Sequence, residues 1–123
     1  MRLTRSLSYA LLALGYIAGH PEDQPITAQT IARQHQLPLD YLLKILQQLT
    51  RAEILGSIRG AQGGFHLARS ADKITLLQIM EALETSRRRP LALRDAVLDL
   101  FEQAQAEANR HFGQTTLADL LPK

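Results

Sequence analysis

Apolar residues along this chain recur mostly at steps of three and four, the period of an amphipathic helix, and one glycine-rich stretch interrupts that rhythm. The first periodic segment runs from about Thr4 to Gly19 and stops at "GHPEDQP", a helix-breaking cluster. Thr27 is then placed as the N-cap of a second helix, in which Ala28, Ile31 and Ala32 form a small apolar face. "QLPLD" interrupts it, and a further helix is expected from about Leu39 to Ala52. Two helices joined by a short turn make the core of a DNA-binding helix-turn-helix.

The later of these two helices divides by angle, at about 100° per residue. Leu39, Leu42, Ile45, Leu46 and Leu49 share one side and are assigned to the core. Asp40, Lys44, Gln47 and Arg51 share the other, flanked by Tyr41, Leu43 and Gln48. A polar stripe alone is usually a solvated face. The next segment changes its meaning. "EILGSIRGAQGGFHLA" reads as a β-hairpin, Ile54–Arg59 and Phe65–Ala68 around a glycine turn. Neither phosphate-binding glycine motif fits, because no Lys and Ser/Thr pair follows Gly64 and no G-x-G-x-x-G is present. A hairpin directly behind a helix-turn-helix is a wing. Arg59 is then expected to reach a phosphate or a minor groove, with Gly60, Gly63 and Gly64 allowing close backbone approach.

Beyond the wing, Thr75 is expected to cap a helix over "LLQIMEALE" whose packing face is Leu76, Ile79, Met80 and Leu83. "TSRRRP" breaks the pattern. A long helix over "LALRDAVLDLFEQAQAEANRHF" repeats Leu93, Val97, Phe101, Ala104, Ala108 and Phe112 in a single narrow stripe, close to a coiled-coil seam. Such a helix packs on its own domain or on a second copy. Following an apparently complete domain, it is read as a homodimer arm. "TTLADLL" closes the chain as a short capped turn. The expected fold is mainly α with a small β-hairpin wing: a winged helix-turn-helix domain over 1–85, a linker over 86–91, and a dimerisation helix with a terminal turn over 92–123.

Composition supports a folded core, with 46% hydrophobic residues and 21% charged. The net charge of +2 is unevenly spread: residues 1–69 carry seven Arg/Lys against four acids, whereas residues 90–123 carry three against five. A basic front and an acidic back suit a nucleic-acid face set against another function. Cysteine is absent, which removes disulfides, thiolate zinc sites and cysteine nucleophiles. The four histidines, His20, His35, His66 and His111, form no close-spaced pair, so no metal site is expected. No set of residues carries catalytic logic, and the chain is read as a non-enzyme without a cofactor. The apolar run from Tyr9 to Ala18 is shorter than the roughly 20 residues of a membrane span and lacks a convincing cleavage site. It is read as a first helix, and the protein as cytoplasmic with no membrane partner.

The opening "MRLTRSLSYAL", the helix "LPLDYLLKILQQL" and the wing "SIRGAQGGFHLA" followed by "ITLLQIMEAL" resemble the Rrf-two family of bacterial transcription regulators. The resemblance covers about residues 1–84, and more loosely the last long helix. It implies a winged-helix dimer that binds palindromic promoter DNA, usually as a repressor. It also places the recognition segment on Pro38, Leu39, Asp40, Tyr41 and onward to Lys44, and the wing arginine on Arg59. Cluster-binding members carry three cysteines between the helix after the wing and the dimer helix. Here that segment reads "TSRRRPLAL", so a thiolate-held iron–sulfur cluster is chemically impossible in this chain.

Within this frame Lys44 and Gln47 are the candidates for base-edge contact, Lys to guanine and Gln to adenine. Asp40, also within the DNA-binding set, either accepts from cytosine N4 or, the preferred role, favours the helix N-terminus by its charge. Thr27, Gln29, Tyr41, Arg51 and Arg59 are expected on phosphates or in a groove. Arg2 and Arg5 add charge near the backbone or merely snorkel. Arg87, Arg88 and Arg89 read as a solvated linker, the alternative being a patch for an acidic partner. Two other functions stay open: a protein-interaction module, and a sensor with a small-molecule or protein effector that the sequence does not name.

Overall fold

The structure, a computed structural model, describes residues 4–84 and 95–122. Six α-helices and one hairpin appear among them, beside two single-turn 3-10 helices (Pro21–Asp23 and Ala71–Lys73): α1 (Arg5–Gly19), α2 (Ala28–His35), α3 (Leu39–Arg51), β1 (Leu55–Ile58), β2 (Gly64–Leu67), α4 (Leu76–Glu84), α5 (Asp95–Gln114) and α6 (Leu117–Leu120). The fold is mainly helical with one antiparallel hairpin.

Each start that the sequence marks with a threonine is capped by it. Thr4 Oγ1 accepts from the Leu7 amide (3.1 Å) and Thr27 Oγ1 from the Thr30 amide (3.1 Å). Thr75 Oγ1 accepts from the Gln78 amide (3.1 Å) while Gln78 Oε1 accepts from the Thr75 amide (3.0 Å), a reciprocal capping box. Thr116 makes the same arrangement with Asp119 at the start of α6. The turn between α2 and α3 is made by Gln36, held in the left-handed region at φ 55°, with the Leu37 amide returning to the Ala32 carbonyl at 2.9 Å. Pro38 is the N-cap residue of α3.

The core is aliphatic. Leu14 and Ile17 of α1, Ile31 of α2, Leu42, Ile45, Leu46 and Leu49 of α3 and Ile79 of α4 are all fully buried. At about 1.5–3 kcal/mol for each fully buried Leu or Ile, this layer stabilises the helical frame.

Two long-range connections join these elements. Ile26, in the segment between α1 and α2, bridges Phe65 on the side of β2 that faces away from β1. Gln24 reinforces this junction: its Nε2 donates to the Ile17 carbonyl (2.8 Å) and its Oε1 accepts from the Leu67 amide (3.1 Å). At the other end, the tail returns to the winged-helix body. The Leu76 amide donates to the Thr115 carbonyl (2.8 Å), the Leu117 amide donates to the Ile74 carbonyl (2.7 Å), and Leu117 is fully buried. The expected linker over 86–91 lies outside the described residues, as do Leu93 and the three arginines Arg87, Arg88 and Arg89.

Candidate nucleic-acid interface

Helix α3 presents the division that its sequence predicts. Leu42, Ile45, Leu46 and Leu49 are buried, and Leu39 is half-buried against the same core. Asp40, Lys44, Gln47 and Arg51 are exposed. The stripe therefore carries one carboxylate, one amide and two cations along a helix whose opposite side is fixed in the core. Asp40 sits in the first turn, where its charge favours the helix N-terminus. At the entry to α2, Gln29 is exposed and Thr27 is half-buried, with its hydroxyl also 2.8 Å from that of Thr30.

The wing follows α3 after a sharp corner, with Glu53 at φ 62° and the Ile54 amide bonded to the Leu49 carbonyl (3.0 Å). The hairpin register pairs Leu55 with Leu67, Gly56 with His66, Ser57 with Phe65 and Ile58 with Gly64. The first strand is shorter than the sequence suggests and the second is shifted by one residue, because pairing runs from Leu55 to Ile58 against Gly64 to Leu67 and leaves Arg59 at the exposed tip. The glycines turn out to differ in purpose. Gly60 adopts φ +111° and a side chain there would meet open space, so its backbone is free to approach another molecule. Gly63 is buried, and a Cβ on it would collide with the Ile58 carbonyl. Gly64, at φ +151°, lies so close to Ile26 that a Cβ would sit 2.6 Å from the Ile26 carbonyl carbon. Gly63 and Gly64 thus close the turn and seat the wing on the body.

Tyr41 is turned toward α1. Its hydroxyl is 2.6 Å from Ser6 Oγ and its ring meets Tyr9 edge to face, centroids 5.4 Å apart. Arg5 is exposed, and Arg2 lies outside the described residues. No motif announced the Ser6–Tyr41 pair; the sole sequence signal was the position of Tyr41 on the flank of the polar stripe.

The stripe expected to join two copies is divided. Phe101 is 61% exposed, its neighbour Leu100 is 65% exposed, and Ala104 is exposed as well. Ala108 is half-buried, and Phe112 packs against the chain's own core. Leu93 and the side chain of Val97 lie outside the described residues. An apolar groove of about 340 Å³ also opens between α1 and α6, lined by Leu11, Leu12, Leu117, Leu120 and Leu121.

The histidines do not converge on a metal: His20 stacks on Tyr16 (4.2 Å), His35 meets the same ring edge on (5.9 Å), and His66 lies in the wing. Among the described residues no group of three or more His, Asp or Glu side chains is placed to hold an ion. No described helix is long and apolar enough to cross a membrane.

A family model for Rrf2, described as iron-dependent transcriptional regulator, matches residues 3–123. Protein rrf2 of Nitratidesulfovibrio vulgaris is 32% identical over 131 aligned residues, covering 98% of this chain and 87% of that protein. The Synechocystis protein slr0846 is 41% identical over 86 residues, 70% of this chain and 58% of that protein, so the chain spans under two thirds of that relative's length. The solved structure of T. potens IscR superposes with a TM-score of 0.79 at 27% identity, covering 98% of this chain and 85% of that one. The iron in the family description does not fit the donor set here. The chain has no cysteine for a cluster, and its described histidines and carboxylates form no ligand group.

Proposed function

Because the chain belongs to the Rrf2 family of transcriptional regulators, we propose that it is a sequence-specific DNA-binding regulator that acts as a homodimer, repressing from a pseudo-palindromic operator. The observation that carries this reading is the division of α3. Its aliphatic side is buried, while Lys44, Gln47 and Arg51 stand exposed on the other, a few residues ahead of the exposed wing tip at Arg59. Lys44 and Gln47 read base edges in the major groove, and Arg51, Arg59, Thr27 and Gln29 hold phosphates or the flanking groove. Pro38 and Leu39 bring the start of the helix to the groove, and the bare backbone at Gly60 lets the wing lie close to the duplex. The uncovered Phe101 and Ala104 of the α5 stripe, with the neighbouring Leu100, are left for a second copy. Cytoplasmic placement follows from the DNA target. No iron–sulfur cluster takes part.

Salt dependence tests the reading directly. Binding of the purified chain to duplex DNA, followed by fluorescence anisotropy, is expected to weaken linearly in log–log form as salt rises, because neutralised phosphates release counterions. A response flat in salt, or no binding at low salt, points instead to a protein-docking module on the same fold.

A further inference from the structure

Tyr41 follows Asp40 in sequence but not in direction. At 3.6 residues per turn it is rotated by about 100° from its neighbour, off the exposed stripe and toward α1. There its hydroxyl is bonded to that of Ser6 at 2.6 Å, and its ring meets Tyr9 at an interplanar angle of 88°. Ser6 and Tyr9 are three residues apart on α1 and so lie on one face of it. The pair links points 35 residues apart in sequence, the first turn of α1 and the first turn of α3.

Among the described residues, no other side-chain hydrogen bond ties that end of α3 to the rest of the fold. Its buried face is aliphatic, and Pro38 provides no side-chain cap. Apolar burial is non-directional, so it resists a small roll of the helix only through packing. Base reading is less tolerant. A roll of about 10° carries a side-chain tip, roughly 5–6 Å from the axis, by about 1 Å, which is enough to spoil hydrogen-bond geometry.

We propose that Tyr41 is a positioning residue: its hydrogen bond to Ser6 and its ring contact with Tyr9 fix the roll of the recognition helix, and so where Lys44 and Gln47 point. Tyr41 serves DNA recognition through α1 and not by touching a phosphate. The inference rests on the DNA-binding reading given above.

Three variants test it: Ser6→Ala, Tyr41→Phe and the double substitution, each keeping the Tyr41 ring. Affinity is measured over a salt series for two duplexes of equal length, one enriched from a random-sequence pool by the wild-type chain and one of scrambled sequence. Thermal melts accompany each variant. Each single variant is expected to bind the enriched duplex about 3- to 10-fold more weakly, the equivalent of one hydrogen bond, with the double variant no weaker than either single. The scrambled duplex and the salt slope are expected to stay unchanged. If Tyr41→Phe alone weakens both duplexes and lowers the salt slope, the hydroxyl touches phosphate and the inference is overturned. It is overturned as well if affinity is unmoved in all three, whether or not the melting temperature falls. A wild-type chain that enriches no duplex removes the DNA-binding reading itself and the inference with it, an outcome visible before any variant is made.

Discussion

Ile26 and Phe65 exchange two backbone hydrogen bonds, amide to carbonyl in each direction, both at 2.8 Å. Ile26 stands immediately before Thr27, the cap of α2, and Phe65 lies in the returning strand of the wing. The pair therefore ties the entry of the helix-turn-helix to the wing, joining the two parts expected to grip DNA. Ile26 is itself buried, and its approach to β2 leaves no room for a side chain on Gly64.

Gly64→Ala is accordingly expected to destabilise the fold by about 2–4 kcal/mol, since it adds both a backbone collision and a strained positive φ. Gly60→Ala, where the added methyl meets open space, carries the conformational term alone and is expected to cost about 1 kcal/mol. Urea unfolding of the two variants checks the order; equal losses would mean that the seat on Ile26 does not matter.

Leu117 offers a second measure of how the chain is held together. It is fully buried, and its amide donates to the Ile74 carbonyl at 2.7 Å. Leu117→Ala is expected to lower unfolding stability by about 2–5 kcal/mol, the range for a truncated core leucine. A loss under about 0.5 kcal/mol, typical of surface positions, would show that the tail does not belong to the core.

The helices were legible because their signals are local. Periodicity assigned Leu42, Ile45, Leu46 and Leu49 to the core, and four threonines marked helix starts that they do cap. The glycine run marked the wing for the same reason. What local signals do not carry is non-local. Nothing in the neighbourhood of Ile26 announces a partner in β2, and a threonine-capped turn at the end of a chain does not reveal that Leu117 fills a gap beside Ile74. Helical spacing likewise gathered Phe101 and Phe112 on one stripe. It could not say that Phe112 is claimed by the chain's own core while Phe101 is left uncovered.

That difference gives a test of self-association. Phe101→Asp is expected to convert the sedimenting species from dimer to monomer in analytical ultracentrifugation while the helical circular dichroism persists, because an exposed charge costs the single chain little. Phe112→Ala is expected to lower stability by about 1–3 kcal/mol, its ring being partly buried against the core. A Phe101→Asp protein that remains a dimer would move the interface elsewhere.

On DNA, Lys44 of the stripe and Arg59 of the wing are expected to behave differently. Arg59→Ala should weaken all sequences to a similar degree and reduce the salt slope by about one unit, as for a lost phosphate contact. Lys44→Ala should cost about 1–3 kcal/mol on the preferred sequence and relax the preference at one base pair of each half-site. A panel of single-base operator variants separates the two patterns, and an unchanged preference for Lys44→Ala would contradict its role as a base reader.

Selection from a random-sequence DNA library with the purified wild-type chain, at near-physiological salt, tests the central claim most directly. Enrichment of a single motif with two-fold symmetry is the predicted result, its half-sites about 10 base pairs apart or a multiple of that, as a symmetric pair of recognition helices requires. A retained pool with no common motif, lost evenly as salt rises, would contradict sequence-specific regulation by this chain.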